Sequence, residues 1–155
     1  MTRRKSPGTI VRIDLGDGTH TYGRELVHPY LAVYDVHTTD ALGAADVISC
    51  SPLFFVAVFD AAMNRWEKVG HVPLQARELP IPEQFNQDPV DPTECRIVDS
   101  EGNERWVTID ECEGLEAATT WDSDEVEQRV RDHYAGTPNK KMQRLKLRRL
   151  EREKG

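Results

Sequence analysis

Apolar and polar residues alternate near the start of the chain, where Val11, Ile13 and Leu15 are separated by Arg12 and Asp14. A period of two is that of a half-buried strand, because successive side chains point to opposite faces. Gly16-Asp17-Gly18 breaks the run, and strand-forming residues then resume. Asp-Gly between alternating segments signals a hairpin, since glycine accepts the positive φ that such turns need. The pattern predicts a hairpin built from residues 8–15 and 20–27.

Pro29 interrupts, and residues 30–36 (Tyr-Leu-Ala-Val-Tyr-Asp-Val) are apolar on both faces, which predicts a central third strand. Residues 37–51 read as a loop with a small apolar patch at Val47 and Ile48. The apolar run 53–59 predicts a buried strand, 60–64 a turn, and 66–72 a further strand. Pro80, Pro82, Pro89 and Pro92 punctuate residues 73–92. Each lacks an amide donor, so this stretch reads as an ordered surface connector with at most a short helical turn. Residues 96–98 and 105–108 predict a second hairpin around Ser100-Glu101-Gly102-Asn103.

Two helical signals follow. Asp110 with Glu113 has the spacing of a capping pair before a short helix ending near Ala118. Asp122 with Glu125 repeats it ahead of Val126, Val130 and Tyr134 at i, i+4 and i+8, with Trp121 placed as a hydrophobic staple on Val126. Glu125–Arg129 and Glu127–Arg131 are i,i+4 pairs in the favourable order, each contributing roughly a few tenths of a kcal/mol. Gly136 and Pro138 close the helix. Met142, Leu145 and Leu150 outline one apolar stripe in a tail that is marginal as an isolated helix. The expected fold is mainly β (α+β): a small twisted antiparallel sheet or partly closed barrel with one or two C-terminal helices packed on it. The expected organisation is a basic arm at 1–7, one β-rich domain at 8–136, and a basic tail at 137–155, either helical or disordered.

Charge adds a second pattern. The formal net charge of −7 divides into a +6 tail from residue 138 onward, +3 from Arg3, Arg4 and Lys5, and −16 between them. An acidic globule repels nucleic acid and favours a basic protein partner; a plain solubility role is the alternative. The tail could bind nucleic acid or an anionic surface, or equally fold back on the acidic body. Cys50, Cys95 and Cys112 are odd in number and form no CxxC pair, so reduced thiols in a cytosolic protein are expected. No signal peptide is expected at the N-terminus, and the longest apolar stretch is too short to span a bilayer.

Reaction chemistry is sparse. The sequence holds no GxSxG, GxxxxGK[ST], HExxH or EF-hand loop. Asp14, Asp17 and Gly18 lack the downstream series of a metal loop, so no metal and no cofactor is expected. His20, His28, His37 and His71 are scattered, and adjacent carboxylates carry little information in so acidic a chain. Tyr22, Tyr30 and Tyr34 would suit a base-stacking platform, but only Arg24 lies near them.

Four pieces, taken in order, carry a resemblance. They are residues 10–15 running into Gly16-Asp17-Gly18, then Tyr22-Gly23-Arg24-Glu25-Leu26, then Leu31-Ala32-Val33-Tyr34-Asp35. The fourth is Cys112-Glu113-Gly114-Leu115-Glu116 leading to Trp121, Val126-Glu127 and Arg131-Asp132-His133-Tyr134. Together they resemble the immunity protein 26 family of bacterial polymorphic toxin systems over most of residues 7–136. The resemblance implies a mostly β, non-enzymatic protein that binds and neutralises a cognate toxin, often a nuclease.

The resulting expectation is a cytoplasmic, stoichiometric inhibitor that occludes its toxin. Candidate contacts are Asp17, His20, Tyr22 and Arg24 on the hairpin, with Tyr34 and Asp35 on the next strand. The structural alternative places Tyr22 and Tyr34 in the core and makes an Arg24–Asp35 pair a bridge between strands. The rival reading is a small nucleic-acid-binding β-barrel using the tyrosines and the basic tail. Oligomeric state is left open.

Overall fold

The computed structural model describes residues 7–149, which divide into two compact units. The first comprises residues 7–80 and 119–139, the second 81–118 and 140–149. The N-terminal cations Arg3, Arg4 and Lys5, and Leu150 of the expected tail stripe, lie outside the described residues.

The first unit is built on a six-stranded mixed sheet. Its strands are β1 (Thr9–Asp14), β2 (His20–Glu25), β3 (Tyr30–Tyr34), β4 (Pro52–Val58) and β5 (Glu67–His71). A two-residue strand at Thr120–Trp121 completes it, in the order Thr120–Trp121, β4, β3, β2, β1, β5. The opening hairpin forms as the alternation predicts, with Ile10 opposite Arg24 and Asp14 opposite His20. The third strand is interior, as its two-sided apolarity predicts. Every pairing is antiparallel except that of Thr120–Trp121 with β4, which is parallel.

All six residues of β2 are buried although most are polar. One face carries Ile10, Tyr22, Tyr34 and Val47, packed with Val36, Leu42, Ile48, Val72 and Leu79. Gly23 sits opposite Val11 and Val33. A Cβ there would stand 3.0 Å from Leu31 Cδ1 and 3.2 Å from the Ala32 carbonyl oxygen, so no side chain fits without movement.

Two helices replace expected irregular stretches. Helix α1 (Ala44–Ile48) lies inside the 37–51 excursion and buries Val47. Helix α2 (Asp60–Arg65) stands where a turn was expected; its acid-first, base-last order suits the helix dipole, and it buries Ala62 and Met63. Helix α3 (Ser123–Ala135) has the expected Asp122–Glu125 capping box and buries Val126 and Val130. It ends at Gly136, whose φ of 70° is the left-handed conformation glycine tolerates best. The expected Glu127–Arg131 pair does not form. Glu127 instead accepts from Trp66 Nε1 at 3.0 Å, and Arg131 donates to the Leu15 carbonyl at 2.9 Å. Tertiary acceptors and donors outcompete a weak surface pair.

The second unit holds a four-stranded sheet. Its strands are β6 (Gln84–Gln87), β7 (Cys95–Val98), β8 (Glu104–Val107) and β9 (Glu116–Ala117), in the order β8, β7, β6, β9. The β7–β8 hairpin is the one the sequence predicts. Strand β6 lies in what reads as a proline-rich connector; Pro82 and Pro89 fall outside its four residues, so no ladder amide is lost. The helix expected after Asp110 shrinks to a 3₁₀ turn, Ile109–Cys112. Gly114 follows at φ 82°, and the chain continues as β9, parallel to β6. Phe85, Cys95, Ile97 and Cys112 form the core.

The basic tail folds onto this unit as far as it is described. A short helix, α4 (Lys140–Arg144), leads to Leu147, which packs on that core. Gln87 and the Arg148 backbone exchange two hydrogen bonds of 2.7 and 3.0 Å. Arg149 reaches Asp110 at 2.8 Å and also bonds Glu113. Neither sheet closes on itself, so the architecture is mainly β (α+β) and not a barrel.

Candidate functional site

The loop joining β1 and β2 is fixed from within. Gly16 and Gly18 have φ of 82° and 89°, and the Leu15 amide donates to the Thr19 carbonyl at 3.0 Å. Asp17, exposed at the tip, accepts from the Thr19 hydroxyl and from the Thr19 amide at 3.0 Å. Both bonds favour the ionised form, and they hold the Asp17 carboxyl below the usual carboxylate range.

From this turn a chain of contacts runs along the surface of the first unit. Having donated to Asp17, the Thr19 hydroxyl accepts from His37 Nε2 at 2.9 Å. The His37 ring stacks on Tyr134 with centroids 4.6 Å apart and planes 16° from parallel. Tyr134 donates its hydroxyl to Asp35 Oδ1 at 2.6 Å. Desolvation, then the Asp35 carboxylate, pushes the Tyr134 phenol above its ordinary value. Asp17, His37 and Asp35 are exposed and Tyr134 is half-buried. The result is an acidic–aromatic rim with an anionic group at each end.

Asp17 and Asp35 are therefore where a partner could reach them. The other four sequence candidates are not. His20 is 7 % exposed, Tyr22 and Tyr34 are 1 %, and Arg24 is 0 %. His20 Nε2 donates to the Asp40 carbonyl at 2.7 Å, and the Tyr22 hydroxyl accepts from the Leu42 amide at 2.9 Å, so this pair fastens the loop after β3.

Arg24 does not bridge to Asp35. Its guanidinium donates to the carbonyls of Val72 (2.7 Å) and Pro73 (3.0 Å) and to the Glu78 carboxylate. Glu78 in turn accepts from the Gln75 amide. Arg24 and then that amide hold the Glu78 carboxyl below the usual range. A buried cation needs such a complete set of acceptors, and a segment remote in sequence supplies it. Burial of Tyr22 and Tyr34 also removes them as a base-stacking platform.

Thr19, His37 and Tyr134 are the rim residues that sequence reasoning missed. Tyr134 was legible as the third member of an apolar helix stripe with Val126 and Val130 and as the end of the fourth resembling piece. Its hydroxyl is what distinguishes it, and no periodicity reports where a hydroxyl ends. Among the described residues no group of three or more His, Cys, Asp or Glu is arranged to hold a metal ion. No helix among them is long and apolar enough to cross a membrane.

No curated protein and no solved structure matches the chain. A family model, Immunity protein 26, matches residues 6–96, more than half of the sequence. The match takes in the first three resembling pieces and the strands that carry the buried Arg24 cluster, while the fourth piece, from Cys112 onward, lies beyond it. The chain belongs to the Immunity protein 26 family.

Proposed function

We propose that this chain is a cytoplasmic immunity protein that neutralises a cognate toxin by stoichiometric occlusion, without catalysis of its own. Family membership over residues 6–96 is the observation that carries this reading. The acidic body, net −16 between the basic ends, suits a basic nuclease-type toxin through electrostatic steering and complementarity. The exposed rim of Asp17, His37 and Asp35 offers contacts that an arginine- or lysine-lined surface would satisfy. The buried His20, Tyr22, Arg24 and Tyr34 fasten neighbouring segments of the unit rather than touch the toxin.

Co-expression with a candidate toxin encoded by a neighbouring gene tests the reading. Rescue of growth together with a co-purifying one-to-one complex supports it. Continued killing with no complex overturns it. Association should weaken as salt rises, because exposed charges are screened.

A further inference from the structure

Strand β9 covers only part of one edge of β6. Its two residues pair with Gln84 and Phe85, and the Ala118 amide donates to the Phe85 carbonyl at 2.8 Å. The pairing stops there. Register with β7 decides where the next groups point. The Asp88 amide donates to the Glu94 carbonyl at 2.9 Å. Main-chain groups alternate in direction along an antiparallel ladder, so those of Gln87 face the β9 edge. Among the described residues no main-chain carbonyl takes up the Gln87 N–H.

A cavity of about 430 Å³ lies at this edge, with every lining residue in the second unit. Phe85, Pro89 and Leu145 give it apolar wall, and Ala117 and Ala118 line it from the end of β9. Gln87 lines it from β6. The basic tail supplies Arg144, Lys146 and Arg148, and no Asp or Glu is among the lining residues.

The three cations are not equivalent. The Arg148 guanidinium is held by the chain itself, donating to the carbonyls of Pro89 and Asp88. Arg149, the next residue, pairs with Asp110 and Glu113. Arg144 and Lys146 are exposed, and neither has an ion-pair partner among the described residues, in a chain with 27 Asp and Glu. Two unpaired cations and an unpaired main-chain N–H therefore line one cavity. All three donate and none accepts, which is the donor set an oxyanion requires. The apolar wall leaves room for a body attached to that oxyanion. The volume falls in the range of small-molecule sites, roughly 300–1,000 Å³.

We infer that this cavity binds a small organic anion, a carboxylate or phosphate on a compact apolar body. Arg144, Lys146 and the Gln87 N–H hold the oxyanion, and Phe85, Pro89 and Leu145 pack on the body. The tail that supplies both cations lies outside the matched span 6–96, and the assignment does not depend on the immunity reading.

Titration of the isotope-labelled full chain with phenyl phosphate and with benzoate, followed by amide chemical shifts, provides the test. Both should move the Gln87 amide saturably. Phenol, which lacks the anionic group, should bind about tenfold more weakly or worse. Replacing both cations, Arg144→Gln with Lys146→Gln, should weaken each anion by about tenfold or more. Thermal unfolding of that variant should match the parent, because both side chains are exposed. A Gln87 amide that does not move, or binding that survives in the double variant, overturns the site. Inorganic phosphate binding as tightly as phenyl phosphate overturns the apolar part of the assignment. No toxin enters the measurement, so its failure is distinct from failure of the immunity reading.

Discussion

Tyr134, at the end of α3, donates its hydroxyl to Asp35, just past β3, across 2.6 Å and 99 positions of sequence. The bond ties a residue outside the matched family span to one inside it. It also sets the lie of the acidic–aromatic rim, because the same ring stacks on His37.

Removing this bond should be measurable in two ways. Tyr134→Phe should lower stability by about 0.5–1.5 kcal/mol in urea unfolding. Burial and Asp35 raise the folded-state phenol pKa, so the bond's contribution is full below the ordinary tyrosine range. It is lost as pH rises through the raised value. Burial raises the Tyr34 phenol too, so a spectrophotometric titration should show two late-ionising tyrosines in the parent and only one in Tyr134→Phe.

The Arg24–Glu78 contact is a buried cation with a remote carboxylate. Arg24→Ala should cost about 3–5 kcal/mol, since it strands the acceptors gathered around the guanidinium. The folded-state pKa of Glu78 is depressed. Its contribution is therefore present above the ordinary glutamate range and is lost as pH falls through the depressed value. Glu78→Gln should flatten that acid limb in a plot of stability against pH. An unchanged slope would show that the pairing contributes nothing.

At Gly23 a Cβ would crowd the Leu31 side chain and the Ala32 carbonyl of β3, which would have to give way. Gly23→Val should destabilise by about 1–3 kcal/mol through overpacking. Chemical denaturation would show a lower midpoint with little change in slope. Gly23→Ala should cost less, because the nearest atom belongs to the movable Leu31 side chain.

The three thiols should differ in reactivity. Cys50 is partly exposed, whereas Cys95 and Cys112 are buried. Burial first, and then the neighbouring Cys95, push the Cys112 thiol up to about 11. A thiolate-directed reagent at neutral pH should modify Cys50 first and reach Cys95 and Cys112 only on unfolding. Mass-resolved alkylation checks the order.

The α3 cap offers a local test. Asp122→Ala removes one half of the capping box and should cost about 1 kcal/mol, read by thermal or urea unfolding.

What the sequence determined by itself was local. Alternation of Val11, Ile13 and Leu15, the glycines of the first turn, the apolar run of β4 and the Asp122–Glu125 box each act within a few residues. Neighbouring positions suffice to read them. The family resemblance was equally legible, because ordered short pieces survive without any knowledge of their contacts. Tertiary structure alone decided the rest. The polar strand His20–Glu25 is wholly buried, and the acceptors that make this possible for Arg24 come from residues 72–78, far along the chain. Strand β6 hides among prolines because strand pairing is decided by its neighbours β7 and β9, not by its own composition. The rim follows the same rule: Asp17 and Asp35 were visible as charges, but His37 meets Thr19 only through the fold of the sheet, and Tyr134 meets Asp35 and His37 only once α3 is in place, since hydrogen bonding depends on distance in space.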